Sequence, residues 1–195
     1  MVKAVKKELG LSDDLSELDH IGKRLDGIRL TKLEIGKWAD EIAKLGGKVR
    51  YYTEEKKMVE HFNKRNCGAA FSPRTKPPTI WIRKEATDLE LFHEAMHFED
   101  FLRRGQTNYL RGLKEEVTLP FANKTIPKRD QLISDYIKEK YVLDKILEEQ
   151  ALWIKKFGKG RWLEEDIEFS IKYFKKYENK CIKAGIDITK ITIKQ

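Results

Sequence analysis

Leu91-Phe92-His93-Glu94-Ala95-Met96-His97-Phe98 is the stretch on which the reading of this chain turns. It has the form H-E-x-x-H. Two His four residues apart lie on one face of a helix, about one turn apart, so both imidazoles reach one metal ion. The Glu beside the first His then points near the metal's open position. There it takes a proton from water and passes it to a leaving group. Two of the chain's four His are spent in this one turn. The plainer alternative is a pair of ordinary helix histidines. The context favours the site: Thr87-Asp88-Leu89-Glu90 is a capping box that opens a helix over roughly Asp88–Arg104, and Gly105 ends it. Leu89, Phe92, Met96 and Phe101 are available to bury that helix.

Zinc needs a third protein ligand and an open fourth position. No His follows His97, and Arg103 stands six residues past it, so a third His downstream on the same pattern is excluded. A downstream carboxylate remains: Glu115, Glu116, Asp130, Asp135, Glu139, Asp144, Glu148 or Glu149. Pro127 suits the first turn of a helix over roughly Lys128–Lys155. At about 100° per residue, Leu132, Tyr136, Leu143, Ile146 and Gln150 share one stripe with Glu139 in its middle. A carboxylate on an apolar stripe must be paired or must bind a metal. Asp135 lies at the stripe's edge. Asp144, Glu148 and Glu149 point away, and Glu115 and Glu116 fall in an irregular stretch. Glu139 is therefore the expected third ligand, with pairing to a Lys or Arg as its alternative. Tyr109, Tyr136 and His61 are candidate donors to a developing oxyanion. Glu90, Glu99 and Asp100 are candidates for orienting the imidazoles.

Around this centre the pattern is α+β. Thr31-Lys32-Leu33-Glu34 is another capping box, followed by Leu33, Ile35, Trp38, Ile42 and Leu45 at helical spacing and a stop at Gly46-Gly47. Lys48–Thr53 reads as a strand and Glu54–Lys64 as a short helix. Gly68–Ser72 and Thr79–Arg83 read as strands, split by the proline-rich turn Pro73–Pro78. The expectation is a small, twisted, mostly edge-exposed three-strand sheet packed on the HExxH helix. The C-terminal half is expected to be mainly helical. Residues 105–126 read as irregular, Phe157–Gly160 as a break, and Leu163–Ala184 as a last helix, acidic at its start and basic at its end. The tail, residues 187–195, reads as a strand or a frayed end. Residues 1–30 form a lead-in, with a short helix around Leu15–Leu25 or a loose attachment, and 31–195 one domain.

Composition narrows the classes. The chain has 195 residues, 37% of them charged, with 40 Lys+Arg against 32 Asp+Glu, a net charge of +8. One core can be buried without staples. A basic balance suits an acidic partner. No apolar run approaches the roughly 18–20 residues of a membrane span, and no signal peptide is read at the start. The expected location is cytoplasmic as synthesised. Cys67 and Cys181 cannot form a disulfide framework or a four-thiolate zinc site and read as reduced or buried thiols.

Several segments together resemble a family. They are Gly68–Pro73, Pro78–Thr87, Glu90–His97 with Gly105 and Tyr109, Lys138-Glu139-Lys140-Tyr141-Val142-Leu143-Asp144, and the helix opening on Leu163-Glu164-Glu165-Asp166. These resemble the zincin-like metallopeptidase toxin domains of bacterial polymorphic toxin systems, over about residues 45–180. The resemblance implies a zincin-like, gluzincin-type fold with zinc on His93, His97 and Glu139. It also implies Glu94 as the catalytic base in peptide-bond hydrolysis. It further implies export or delivery into a target cell, a protein or peptide substrate, and a cognate immunity protein, which the basic charge suggests is acidic. Two rivals stand beside it. One is a non-catalytic zincin-like interaction protein. The other is a basic nucleic-acid-binding module, against which the chain shows no helix-turn-helix, zinc-finger or RNP-like signature.

Overall fold

A computed structural model describes residues 27–65, 67–110 and 128–191. Within them the chain is α+β and mostly helical: five α-helices and one three-stranded mixed sheet. The order is α1 (Lys32–Lys44), β1 (Lys48–Tyr51), α2 (Lys56–Arg65), β2 (Ala69–Ser72), β3 (Thr79–Ile82), α3 (Asp88–Tyr109), α4 (Lys128–Phe157) and α5 (Glu164–Lys183). No helix among the described residues is long and apolar enough to cross a membrane. The expected helix at 15–25 and the irregular stretch 111–126 lie outside the described residues.

The sheet has strand order β1-β3-β2, with β1 parallel and β2 antiparallel to β3. Both edges are half-buried, but the central strand is not edge-exposed: Ile80, Trp81 and Ile82 are all buried. Ile80 and Ile82 face Leu91, Ala95 and Phe98 of α3, while the Arg50 guanidinium lies 5.1 Å from the centre of the Trp81 ring. The expected strand over Lys48–Thr53 ends at Tyr51. There Glu54 accepts from Tyr51 N (2.8 Å) and Arg50 Nε (2.9 Å), which curls Tyr52–Glu54 into a 3-10 turn.

In α1 the Thr31 capping box is present, and Ile35, Trp38 and Ile42 form the packed seam. Leu33 and Leu45 stand exposed, because one neighbour covers only a narrow stripe of so short a helix. The stop has two parts. Gly46 takes a φ of 82°, and a Cβ on Gly47 would meet Phe98 Cζ at 2.7 Å.

Helix α3 runs through the middle of the molecule. One side packs on the sheet and α1, the other on α4, Trp162 and α5. Leu89, Leu91 and Phe98 are buried, and each contributes roughly 2 kcal/mol. Gly105 does not end α3 as expected. Its φ of 72° and ψ of 153° kink the helix, and helical turns resume to Tyr109. The resumed turn folds Tyr109 back onto Phe71 and Phe101, at ring separations of 6.0 and 5.6 Å. A third cluster, with Tyr136, Leu143, Phe174, Cys181 and Ile186, joins α4 to α5. The described part of the tail is no strand: Asp187 caps Thr189 N at 3.1 Å and starts a 3-10 turn at Ile188–Lys190. Residues 27–30 are tied to the start of α3, with Leu30 N on Ala86 O and Asp88 N on Ile28 O.

Candidate metal centre

The start of α3 is fixed twice. The Thr87 hydroxyl accepts from Glu90 N (3.2 Å), and Glu90 Oε2 accepts from Thr87 N (2.7 Å), completing the capping box. Asp88 takes the Arg161 guanidinium at 2.7 and 3.0 Å and Trp162 Nε1 at 2.9 Å. Arg161 also donates to Glu149 of α4 at 2.7 Å. This network clamps the α4–α5 turn to the N-terminus of α3. It therefore sets how α4 lies across the HExxH turn.

Across that crossing, Glu139 of α4 meets His93 and His97 of α3. Oε2 lies 3.6 Å from His93 Nε2, and Oε1 lies 3.6 Å from His97 Nε2. One donor atom from each residue lies within 4.8 Å of the other two. A separation of 3.6 Å is long for a hydrogen bond. It is close to the edge of a tetrahedron around an ion bound at about 2.0–2.1 Å, which is roughly 3.3 Å. The donor chemistry agrees, since two imidazoles and one carboxylate leave one position open. The three residues together could hold a metal ion.

The electrostatics of the three candidate ligands are uneven. Burial pushes the His93 imidazole down to about 4, so its lone pair is available. Burial also works to lower His97, but the Glu139 carboxylate beside it outweighs that and the net shift is upward. Burial works to raise Glu139, and the two imidazoles with Lys138 outweigh it, holding it ionised. Glu94 sits one residue from His93 and lines the same cleft. Its Oε2 accepts from Phe71 N at 2.7 Å, from the outer edge of β2. Burial is the largest cause raising its pKa. A carboxylate raised above its ordinary range and held by a backbone N–H suits proton transfer.

The cleft holds about 340 Å³. Tyr109 is part of its wall, and its hydroxyl oxygen lies 3.4 Å from His97 Nδ1, behind the imidazole rather than in front of it. Tyr136 is not in the cleft wall. It packs on Phe174 at 5.4 Å in the α4–α5 cluster. His61 and Glu90 line the cleft. Glu90 uses one oxygen in the cap and leaves the other, Oε1, buried without a hydrogen bond among the described residues, and burial pushes the group up to about 7. Asp100 is held by Arg103 and Arg104, and Glu99 accepts from Tyr141, so neither orients an imidazole. His93 Nδ1 is buried and without a hydrogen bond among the described residues.

The other carboxylates stand elsewhere. Asp135 accepts from Gln131, Asp144 from Lys140 and Glu148 from Lys145, while Asp130 is exposed. Glu115 and Glu116 lie outside the described residues. Cys67 lines the cleft with its thiol pushed up to about 11, first by burial and then by Glu94. Cys181 is buried and donates to Leu132 O at 3.4 Å.

One wall of the cleft carries no signal in the local sequence pattern. Tyr173, on α5, lines the cleft with its ring 6.1 Å from that of His93. Its hydroxyl is 2.9 Å from that of Tyr177. Burial, then the negative charge of Glu139, keeps the Tyr173 phenol protonated well above its usual range. The i, i+4 spacing of the two tyrosines is visible in the sequence, but which neighbour α5 would face is not. Set against family models, curated proteins and solved structures, the chain matches none of them.

Proposed function

We propose that this chain is a zinc-dependent peptidase of zincin type, acting on a protein or peptide. The observation that carries the reading is the convergence of His93, His97 and Glu139 on one point, with Glu94 in the same cleft. When bound, the ion acts as a Lewis acid that acidifies water and polarises a carbonyl oxygen. The chain's own residues do the rest. Glu94 accepts a proton from the attacking water and hands it to the departing amine nitrogen. Its hydrogen bond from Phe71 N keeps the carboxylate aimed during both transfers. Tyr173, protonated at any working pH, donates to the oxygen on which negative charge develops. Tyr109 holds the His97 ring from behind.

The test is metal analysis joined to a protease assay. Glu94→Gln keeps the metal and loses activity. A wild-type protein without metal, or a fully active Glu94→Gln variant, contradicts the reading. The resemblance noted from the sequence supports a second step: a toxin domain, delivered into a target cell and held in check by an acidic immunity protein. Neighbouring reading frames test that step. A small acidic protein encoded beside this chain that binds it and blocks the cleft would support it.

A further inference from the structure

We infer that Lys138 is a recognition site for a substrate carboxylate placed beside the scissile bond; this rests on the peptidase reading above. Lys138 precedes Glu139 on α4 and lines the cleft, yet it is only 8% exposed. A buried ammonium is costly to leave without a counter-charge. Among the described residues Lys138 forms no ion pair and no hydrogen bond. Its directed contact is the Tyr109 ring, whose centre is 4.7 Å from Nζ.

Asp135, Asp100 and Glu139 act on the Lys138 ammonium through space, but none lies within ion-pair distance of it and each has a closer partner. Asp100 is held by Arg103 and Arg104 at 2.7 and 3.3 Å. Asp135 accepts from Gln131 at 2.7 Å. Glu139 faces the two imidazoles at 3.6 Å. Tyr109, stacked under Nζ, also reaches His97. The ammonium is thus seated next to the metal ligands, on the wall of a cleft large enough for a short peptide segment. A carboxylate there completes a charge-assisted hydrogen bond that none of the described residues supplies. It comes either from a free peptide C-terminus, making the enzyme an exopeptidase, or from an acidic side chain, making it an endopeptidase with acidic preference.

The test measures binding separately from turnover, in the zinc-loaded Glu94→Gln protein by calorimetry. One pair of peptides, acetylated and built of Ala and Phe, differs only in ending as a free acid or an amide. A second pair, amidated, carries either Asp or Asn beside Phe. The inference predicts that one acid member binds at least roughly tenfold tighter than its neutral twin. It also predicts that Lys138→Met brings that ratio to about one, while Lys138→Arg restores it. Preference in the first pair marks the terminal carboxylate, and preference in the second the side chain. Equal binding of acid and neutral members in both pairs overturns the inference, whatever the variants do. So does a preference that survives Lys138→Met. If wild-type protein cleaves none of these peptides while the Lys138-dependent preference stands, the peptidase reading fails and the carboxylate site remains.

Discussion

A methyl group added at Gly68 tests how tightly the start of α3 is built. A Cβ there would stand 1.8 Å from Glu90 Oε1, 2.3 Å from Cδ and 2.5 Å from Oε2. The backbone has little room to retreat, since Gly68 O accepts from Arg83 N at 2.8 Å and Cys67 O from Arg83 Nε at 2.8 Å. Glu90 must therefore move, and with it goes the hydrogen bond from Thr87 N. Thr87 is 1% exposed, so its N–H is left buried without a partner. Losing the cap costs about 1 kcal/mol and stranding the donor about 1–3 kcal/mol, so Gly68→Ala should destabilise by roughly 2–4 kcal/mol. Urea unfolding at neutral pH measures it. The double variant Gly68→Ala with Glu90→Ala provides the control, because removing the obstructing carboxylate should make the methyl group nearly silent. A Gly68→Ala cost below about 0.5 kcal/mol, the range of ordinary surface changes, would mean that Glu90 and its cap are not held against Gly68. So would strict additivity in the double variant.

Other expectations follow from the same geometry. Glu90, raised to about 7 in the fold chiefly by burial, favours the native state while protonated. Its contribution is complete below the ordinary carboxylate pKa and is lost as pH rises through about 7, by roughly 2–4 kcal/mol; Glu90→Gln should flatten this part of the stability–pH curve, and an unchanged curve would count against it. Tyr109→Phe keeps the ring under Lys138 but removes the hydroxyl behind His97, and should weaken zinc binding by about tenfold or more in a chelator competition. Tyr173→Phe should retain zinc and lower kcat by on the order of a hundredfold with KM little changed; a variant with wild-type kcat would remove Tyr173 from the chemistry.

What the sequence discloses and what it hides divide along physical lines. Local periodicity and capping chemistry are short-range, so the two capping boxes, the HExxH face and the ends of α5 can be read residue by residue. Glu139 is legible because a carboxylate in an apolar stripe needs a partner, and α4 does turn it toward the two imidazoles. Tyr136 lies on the same stripe but faces α5, because a long helix packed against two neighbours divides one apolar stripe between them. The strand order β1-β3-β2 and the crossing of α3 by α4 are long-range and leave no periodic trace. Gly105 reads as a stop and acts as a kink. A left-handed glycine ends one run of hydrogen bonds without forbidding the next, and the resumed turn packs Tyr109 on Phe71 and Phe101, a contact the local sequence does not disclose. Tyr173 stays hidden for the same reason, since its role depends on where α5 lands.

If the proposal holds, His93, His97 and Glu139 bind one metal ion together. A crystal of the purified wild-type protein, measured on both sides of the zinc absorption edge, tests it most directly. The expected result is one anomalous peak per chain, about 2.0–2.2 Å from His93 Nε2, His97 Nε2 and a Glu139 oxygen, and its disappearance in Glu139→Ala. Zinc-loaded crystals with no peak there, or with a peak held by other residues, would contradict it.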